Sequence, residues 1–104
     1  MLDNGFIGHF PEGAIVPLAL QCRSQDLQVV EPTGIPTCKI IDPNKTVVES
    51  AELRGTVDGL TGFRLENLEL SESNKWQPGV VYTVVFSYVS GGENRSCLST
   101  FQVV

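Results

Sequence analysis

The sequence is poor in the residue types that carry catalytic and metal chemistry. Its 104 residues include one histidine, His9, and three cysteines, Cys22, Cys38 and Cys97, which lack the CxxC spacing of zinc and redox motifs. An odd number of cysteines leaves at least one thiol unpaired, so no closed disulfide framework is specified. No catalytic motif is present, and we expect neither an enzyme nor a protein with a metal or cofactor.

Basic residues and long apolar runs are scarce as well. The chain has seven Lys and Arg against twelve Asp and Glu, a net charge of -5, and the basic residues are scattered rather than clustered. Nucleic-acid affinity depends on clustered basic side chains, and a membrane helix needs about 20 apolar residues in a row. The start, Met1 to Asn4, lacks the basic and apolar segments of a signal peptide. We therefore expect synthesis in the cytoplasm and neither a nucleic-acid nor a membrane partner.

The first 13 residues differ from the rest of the chain. Three glycines and one proline surround Phe6, Ile7 and Phe10, without a helical or a strand period. This composition predicts an irregular N-terminal arm, residues 1–13, followed by one domain, residues 14–104. Apolar side chains in an arm either fold back over the domain edge or dock on a neighbour. Phe6, Ile7 and Phe10 are accordingly the predicted partner-binding residues.

From residue 14 onward, apolar and polar residues alternate in short segments separated by turn residues. Pro17 predicts that the first strand is an edge strand or bends at this residue. Asp42-Pro43 predicts a chain reversal, and Gly91-Gly92 predicts the loop of a final hairpin. Both faces of the segment around residues 81–88 are apolar or β-branched, as expected of a central strand buried between two layers. The predicted strands are residues 14–22, 26–30, 37–41, 46–50, 61–70, 81–88 and 95–104.

The segment of residues 61–70 admits two interpretations. Phe63 and Leu65 share one parity, whereas Leu68 and Leu70 share the other. A β-bulge near Glu66-Asn67 would reconcile the two halves of a strand. The alternative is a helix over residues 65–76, which lacks a capping signal and has strand patterns on both sides. About seven short strands with regular turns favour an antiparallel β-sandwich of the immunoglobulin-like class.

Four segments carry a family resemblance: "FPEGAIVPLALQC", "PTCKIIDPNKTVVES", "GLTGFRLENLEL" and "WQPGVVYTVVFSYVSGGENRSCLSTFQVV". In order and turn chemistry they resemble small bacterial and phage immunoglobulin-like domains of the kind found in phage capsid decoration and tail accessory proteins, over about residues 11–104. The resemblance implies that Trp76 and Tyr82 pack in the core, that Gly79 forms a turn, and that Tyr82 is a tyrosine-corner residue. The chain departs from antibody-type domains because it lacks their Cys…Trp…Cys spacing.

The remaining candidates have structural explanations. His9 lies in the glycine-rich arm, a poor place to position a general base. Glu66, Glu69 and Glu72 form a solvated edge in preference to a pair of catalytic acids. Asp42 and Asp58 belong to turns, since neither segment supplies the spaced oxygen ligands of a calcium loop. The cysteines are interpreted as small buried residues in a reducing cytosol, and a bond between Cys38 and Cys97 stays open.

An all-β domain without a catalytic motif is typical of binding and structural modules. The leading hypothesis is a virion structural protein, a capsid decoration or cement protein that binds the outer surface of the major capsid protein shell. A tail protein is the other candidate partner, and homo-oligomers are also expected. The alternative hypothesis is a bacterial cell-surface immunoglobulin-like adhesion or binding module. On the leading hypothesis the acidic protein is located on the virion surface, where its charge keeps particles apart.

Overall fold

The computed structural model describes residues 4–71 and 75–104. These residues form strands and turns, and no helix occurs among them. The seven strands are β1 Asn4–Phe10, β2 Ile15–Gln21, β3 Thr33–Ile41, β4 Val47–Glu52, β5 Phe63–Glu69, β6 Val81–Ser90 and β7 Glu93–Val103.

The strands form two sheets of unequal width. Five strands make the wider sheet in the order β1-β7-β6-β3-β4, and β2 and β5 make the narrower one. All pairings are antiparallel except that of β1 with β7, which is parallel. The prediction of an all-β fold with about seven strands is therefore confirmed.

Alternating burial along the strands builds one core that both sheets share. In β2, for example, Val16 and Leu18 are fully buried, whereas Ile15 is exposed. Full burial of such a side chain contributes about 1.5–3 kcal/mol relative to exposure, before the entropic cost of ordering. The strand residues of the hydrophobic core cluster are Val16, Leu18, Leu20, Cys38, Ile40, Leu68, Tyr82, Val84, Phe86, Phe101 and Val103.

An aromatic cluster lies where the chain enters β6. The rings of Trp76 and Tyr82 meet edge to face at 5.1 Å, and Tyr82 stacks on Phe101 at 5.6 Å. The Tyr82 hydroxyl accepts a hydrogen bond from the Gln77 amide at 2.9 Å and donates to the Lys75 carbonyl at 3.2 Å. The predicted packing of Trp76 and Tyr82 is thus confirmed. Gly79, at a φ of 86°, occupies the turn before β6 as predicted.

The expectation of an irregular N-terminal arm is wrong for Asn4–Phe10, which form β1. β1 adds a fifth strand beside β7, with Gly5 opposite Ser99 and His9 opposite Gln102. The Val104 amide also donates to the Phe10 carbonyl at 3.0 Å. Backbone pairing overrides the weak strand propensity of this glycine-rich segment because β7 offers an unpaired edge.

Residues 26–30, predicted as a strand, form a turn that closes on a single bridge between Arg23 and Val29. The Leu27 amide bonds the Ser24 carbonyl at 2.9 Å, and Leu27 has a φ of 64°. A left-handed residue of this kind interrupts an extended segment. β3, by contrast, begins four residues before the predicted start at Thr37, since an irregularity between Thr33 and Thr37 accommodates the turn residues there.

The predicted bulge near Glu66-Asn67 is also wrong. β5 pairs with β2 in unbroken register from Phe63 to Glu69. Leu68 faces the core, whereas Leu65 faces outward and is half-buried. The apolar residues of β5 therefore change parity because both faces of the strand carry some of them, and not because a bulged residue is inserted. The helical alternative for this segment fails as well, because residues 63–69 are a strand.

The predicted edge position of the first strand and the two predicted chain reversals are confirmed. Pro17 lies in β2, which pairs with β5 alone among the strands of the described chain. Asp42 Oδ1 accepts hydrogen bonds from the amides of Asn44 and Thr46, both at 2.9 Å. The final hairpin pairs β6 with β7 from Val81 through Ser90.

Candidate partner-binding surface

β1 determines where the predicted partner-binding residues lie. Its register with β7 shifts between Phe6 and Gly8, which leaves Ile7 as the bulged residue. Phe6 is opposite Thr100, whereas Phe10 is opposite Val103, a residue of the core. The shift therefore directs Phe6 and Phe10 to opposite sides of the five-stranded sheet.

Phe6 is the exposed member of the three. Its side chain is 55% accessible, and its ring meets that of His9 edge-on at a centroid distance of 5.0 Å. An apolar ring in water gains free energy when a partner covers it. Phe6 is thus an apolar side chain that the protein's own core leaves largely uncovered, as its predicted partner-binding role requires.

Ile7 and Phe10 lie differently. Both are half-buried and pack against the protein's own core. The Phe10 ring meets that of Phe101 edge-on at 6.3 Å. The structure therefore separates the three predicted residues into one exposed side chain and two that contact the core. Their binding to a partner stays a prediction.

The solvent side of the five-stranded sheet, here called the outer face, surrounds Phe6 with uncharged residues. Cross-strand pairs place Thr83 beside Thr100 and Val85 beside Leu98. Val81 and Leu98 are 42% and 39% exposed. Lys39 and Glu52 are the charged residues among the paired members of this face. Those members are Phe6, His9, Thr33, Thr37, Lys39, Ile41, Val47, Ser50, Glu52, Val81, Thr83, Val85, Ser87, Val89, Asn94, Ser96, Leu98, Thr100 and Gln102.

Sequence reasoning missed the outer face because it placed β6 between two layers. β6 is central in its sheet, but Val81 and Ser87 are exposed, so one of its faces meets solvent. The signal that was available is the run of Thr and Ser at alternate positions of the last two strands. A face buried between two layers is normally a continuous Val, Ile and Leu surface.

A second feature is a groove of about 540 Å³ between the edges of β4 and β5. Both Glu66 and Glu69 line this groove, but Glu66 lies opposite the buried Leu18 and Glu69 opposite the exposed Ile15, so their side chains leave opposite faces of β5. The two carboxylates therefore do not form a pair, and Glu72 lies outside the described residues. Lys75 Nζ bonds Glu49 Oε1 at 2.7 Å across the groove.

No group of three or more His, Cys, Asp or Glu side chains suited to a metal ion occurs in residues 4–71 and 75–104. His9 is exposed on the outer face beside Phe6, consistent with its interpretation as a surface residue. The carboxylate of Asp42 is occupied by the turn amides described above.

No disulfide joins Cys22, Cys38 and Cys97 in the described residues. Cys38 and Cys97 lie on either side of Phe86 in the register of the sheet, two strands apart. Two strand spacings are about 10 Å, beyond the roughly 4.4–6.8 Å between the Cα atoms of a disulfide. Burial raises the pKa of the Cys38 thiol to about 11 and that of the Cys22 thiol to about 11. Both buried thiols are therefore protonated at neutral pH, whereas Cys97 is half-buried.

Comparison with known proteins identifies no relative: no family model, curated protein or solved structure matches the chain. The part of the chain that the structure describes also contains no helix long and apolar enough to cross a membrane.

Proposed function

We propose that the chain is an immunoglobulin-like β-sandwich that acts by binding another protein rather than by catalysis. The strand order supports this assignment: β7, β6, β3 and β4 lie in the order of the G, F, C and C′ strands of variable-type domains. β2 and β5 correspond to the B and E strands of the facing sheet. The Tyr82 hydroxyl bonds back to the backbone at Lys75 and Gln77, which is the geometry of a tyrosine corner at the start of strand F.

The proposed role is that of a capsid decoration protein, which covers the outside of a shell of major capsid protein. The observation that carries it is the outer face: a chain of net charge -5 has a broad sheet face whose paired residues include two charged side chains. Interface centres are depleted in charge and enriched in aromatic residues. Phe6, Val81 and Leu98 would contact the shell, while the acidic remainder faces solvent and keeps particles soluble.

The proposal requires no chemistry from the protein. Binding would remove Phe6 and its apolar neighbours from water, and the broad sheet face would add contacts across shell subunits. A tail protein with a comparable neutral surface is the other candidate partner, and in either case the site of action is the virion surface.

To test this proposal, the purified protein is mixed with capsids of the phage whose genome encodes it. Bound and free protein are then separated on a density gradient. We expect saturable sedimentation with the particles. The Phe6→Ser variant should bind about thirtyfold more weakly, because a buried aromatic anchor is worth roughly 2 kcal/mol. Leu60→Ser is the matched control, since Leu60 is 50% exposed, close to the 55% of Phe6, and lies in the loop before β5 rather than on the outer face.

Two results would contradict the proposal. One is protein that stays at the top of the gradient at every concentration tested. The other is a Phe6→Ser variant that binds as the unmodified protein does. Attachment to bacterial cells in place of particles would support the cell-surface adhesion module instead.

A further inference from the structure

The two sheets differ in width, so the narrower one leaves part of the wider one uncovered. In β7 the core-facing residues Phe101 and Val103 are buried, whereas Arg95, Cys97 and Ser99 are half-buried. A groove of about 680 Å³ lies over this end of β7, beside β2. We call it the β2 groove; its apolar lining is Ala19, Leu20, Leu27, Phe86, Tyr88 and Cys97, and Leu98 of the outer face borders it.

One wall of the β2 groove is the free edge of β2. The Cys22 amide bonds the Gly62 carbonyl and the Leu70 amide bonds the Ala14 carbonyl, so even-numbered residues of β2 exchange hydrogen bonds with β5. Because antiparallel bonding alternates, the amide and carbonyl groups of Ala19 and Gln21 point away from β5. Both residues line the groove.

The backbone groups along the free edge of β2 are bonded near its end and available in its middle. Beyond Gln21, the Tyr88 hydroxyl accepts a hydrogen bond from the Arg23 amide at 2.9 Å and donates to the Arg23 carbonyl at 3.0 Å. Toward the start of the strand, Pro17 has no amide hydrogen. The open stretch around Ala19 and Gln21 therefore fits a short added strand.

The charge of the β2 groove is opposite to that of the whole chain. Arg23 and Arg95 are the charged residues of its lining, which contains no carboxylate, although the chain has a net charge of -5. Arg95 Nε bonds Ser90 Oγ at 3.2 Å, and Arg95 Nη2 lies 3.5 Å from the exposed Glu93 carboxylate. The Arg95 guanidinium thus retains capacity for a second, closer carboxylate.

We propose that the β2 groove binds an extended segment of a partner protein as an added strand, with apolar side chains over Phe86 and Cys97 and an acidic side chain near Arg95. Main-chain hydrogen bonds to Ala19 and Gln21 hold the segment, and the groove selects its side chains. This site lies on the core-facing side of β7, whereas the capsid-binding proposal concerns the outer face. A result that contradicts one proposal therefore does not contradict the other.

The probe is a fluorescent heptapeptide with glutamate at both ends, valine at its third and fifth positions and threonine at the others. Its odd positions share one face, so both directions of binding present the same side chains. We expect saturable binding by fluorescence anisotropy at low salt. A peptide with lysine in place of both glutamates should bind at least about tenfold more weakly, because like charges meet at Arg95.

Variants of the protein locate the site. Ala19→Pro removes an amide that β5 does not use, so we expect a folded protein that loses peptide affinity about tenfold. Ile15→Pro is the matched control, since Ile15 has the same parity in β2 but lies outside the groove lining. Arg95→Gln should lower the affinity for the glutamate peptide several-fold and should not lower the affinity for the lysine peptide.

Chemical-shift changes in amide NMR spectra provide a second measurement that needs no variant. We expect the glutamate peptide to shift Ala19, Gln21, Cys97 and Ser99 and to leave Phe6 and Val81 unaffected. Equal binding of the two peptides, or shifts confined to the outer face, would overturn the proposal. Groove shifts that follow protein concentration without peptide would assign the groove to a second copy of the chain instead.

Discussion

At the residue scale, the Tyr82 hydroxyl joins the start of β6 to the segment before it. It bonds the backbone on both sides of Trp76, so that its loss leaves two backbone groups to find new partners. We predict that Tyr82→Phe lowers the free energy of unfolding by about 1–3 kcal/mol. Denaturation in guanidinium chloride measures this change in the free energy of unfolding, and we expect the m-value to stay the same.

Tyr88→Phe is the control for this prediction. The Tyr88 hydroxyl makes the same pair of bonds, to the Arg23 amide and carbonyl, but in a more exposed position where water replaces it. Its loss should cost less than about 1 kcal/mol. A Tyr82→Phe variant no less stable than Tyr88→Phe would show that the hydrogen bonds at Trp76 do not fix this corner.

The buried thiols give the stability a dependence on alkaline pH. Burial raises the pKa of Cys22 and of Cys38 from 9.0 to about 11, so in that interval the folded state binds more protons than the unfolded state. Stability present below pH 9 is therefore lost as the pH rises toward 11. We predict a steeper fall over this range for the unmodified protein than for Cys22→Ala/Cys38→Ala, measured by urea denaturation. Parallel curves would contradict the burial of these thiols.

At the scale of elements, Gly62 connects the turn after residue 21 to the start of β5. Its amide donates to Glu31 Oε2 at 2.6 Å, and its carbonyl accepts from the Cys22 amide at 2.9 Å. Arg64 bonds the other oxygen of Glu31 at 2.7 Å and lowers the pKa of that carboxyl below its ordinary value. Gly62 has a φ of 72°, and a Cβ there would collide with the Val30 carbonyl oxygen.

Two alanine variants separate backbone strain from this close approach. Gly79 has a φ of 86° with open space around it, so Gly79→Ala should cost roughly 1–2 kcal/mol, the cost of a left-handed residue. Gly62→Ala combines that strain with the collision and should cost about 3 kcal/mol or more. Thermal denaturation compares them. Equal losses would mean that Val30 and Gly62 are farther apart than described.

The sequence correctly predicts the strands whose structure depends on the pattern of their own residues. The alternation of β2 and the hairpin of β6 and β7 depend on local periodicity and turn residues, which the chain displays plainly. β1 has no such pattern, because its pairing depends on an edge of β7 located some 90 residues away in sequence. The bulge predicted in β5 is absent, because the two parities of its apolar residues correspond to two faces of one regular strand.

The candidate surface is predictable in part for the same reason. The sequence singles out Phe6, Ile7 and Phe10 as apolar residues in a segment without a strand period, and the structure shows that Phe6 is the exposed one. The sequence does not separate Phe6 from Phe10, since a register shift at Ile7 makes that difference. Val81 and Leu98 join the surface through strand pairing, which residue patterns alone do not specify.

At the scale of the whole molecule, β1 completes the wider sheet and covers one end of the core. Phe10 packs on Phe101, whereas Phe6 contacts His9 and solvent. We predict that Phe10→Ala lowers the free energy of unfolding by about 2–4 kcal/mol, and that Phe6→Ala changes it by less than about 0.5 kcal/mol. Equal effects in chemical denaturation would contradict the separation of the two rings by the sheet.

The central claim is that the N-terminal segment is a strand of the fold and leaves Phe6 alone among its predicted residues on the outer face. Nuclear Overhauser contacts in the isotope-labelled protein test it most directly. We predict contacts between the backbone protons of Gly5 and Ser99 and of His9 and Gln102, in parallel register, with slowly exchanging amides along β7. Random-coil shifts for residues 4–10, without contacts to β7, would contradict the account.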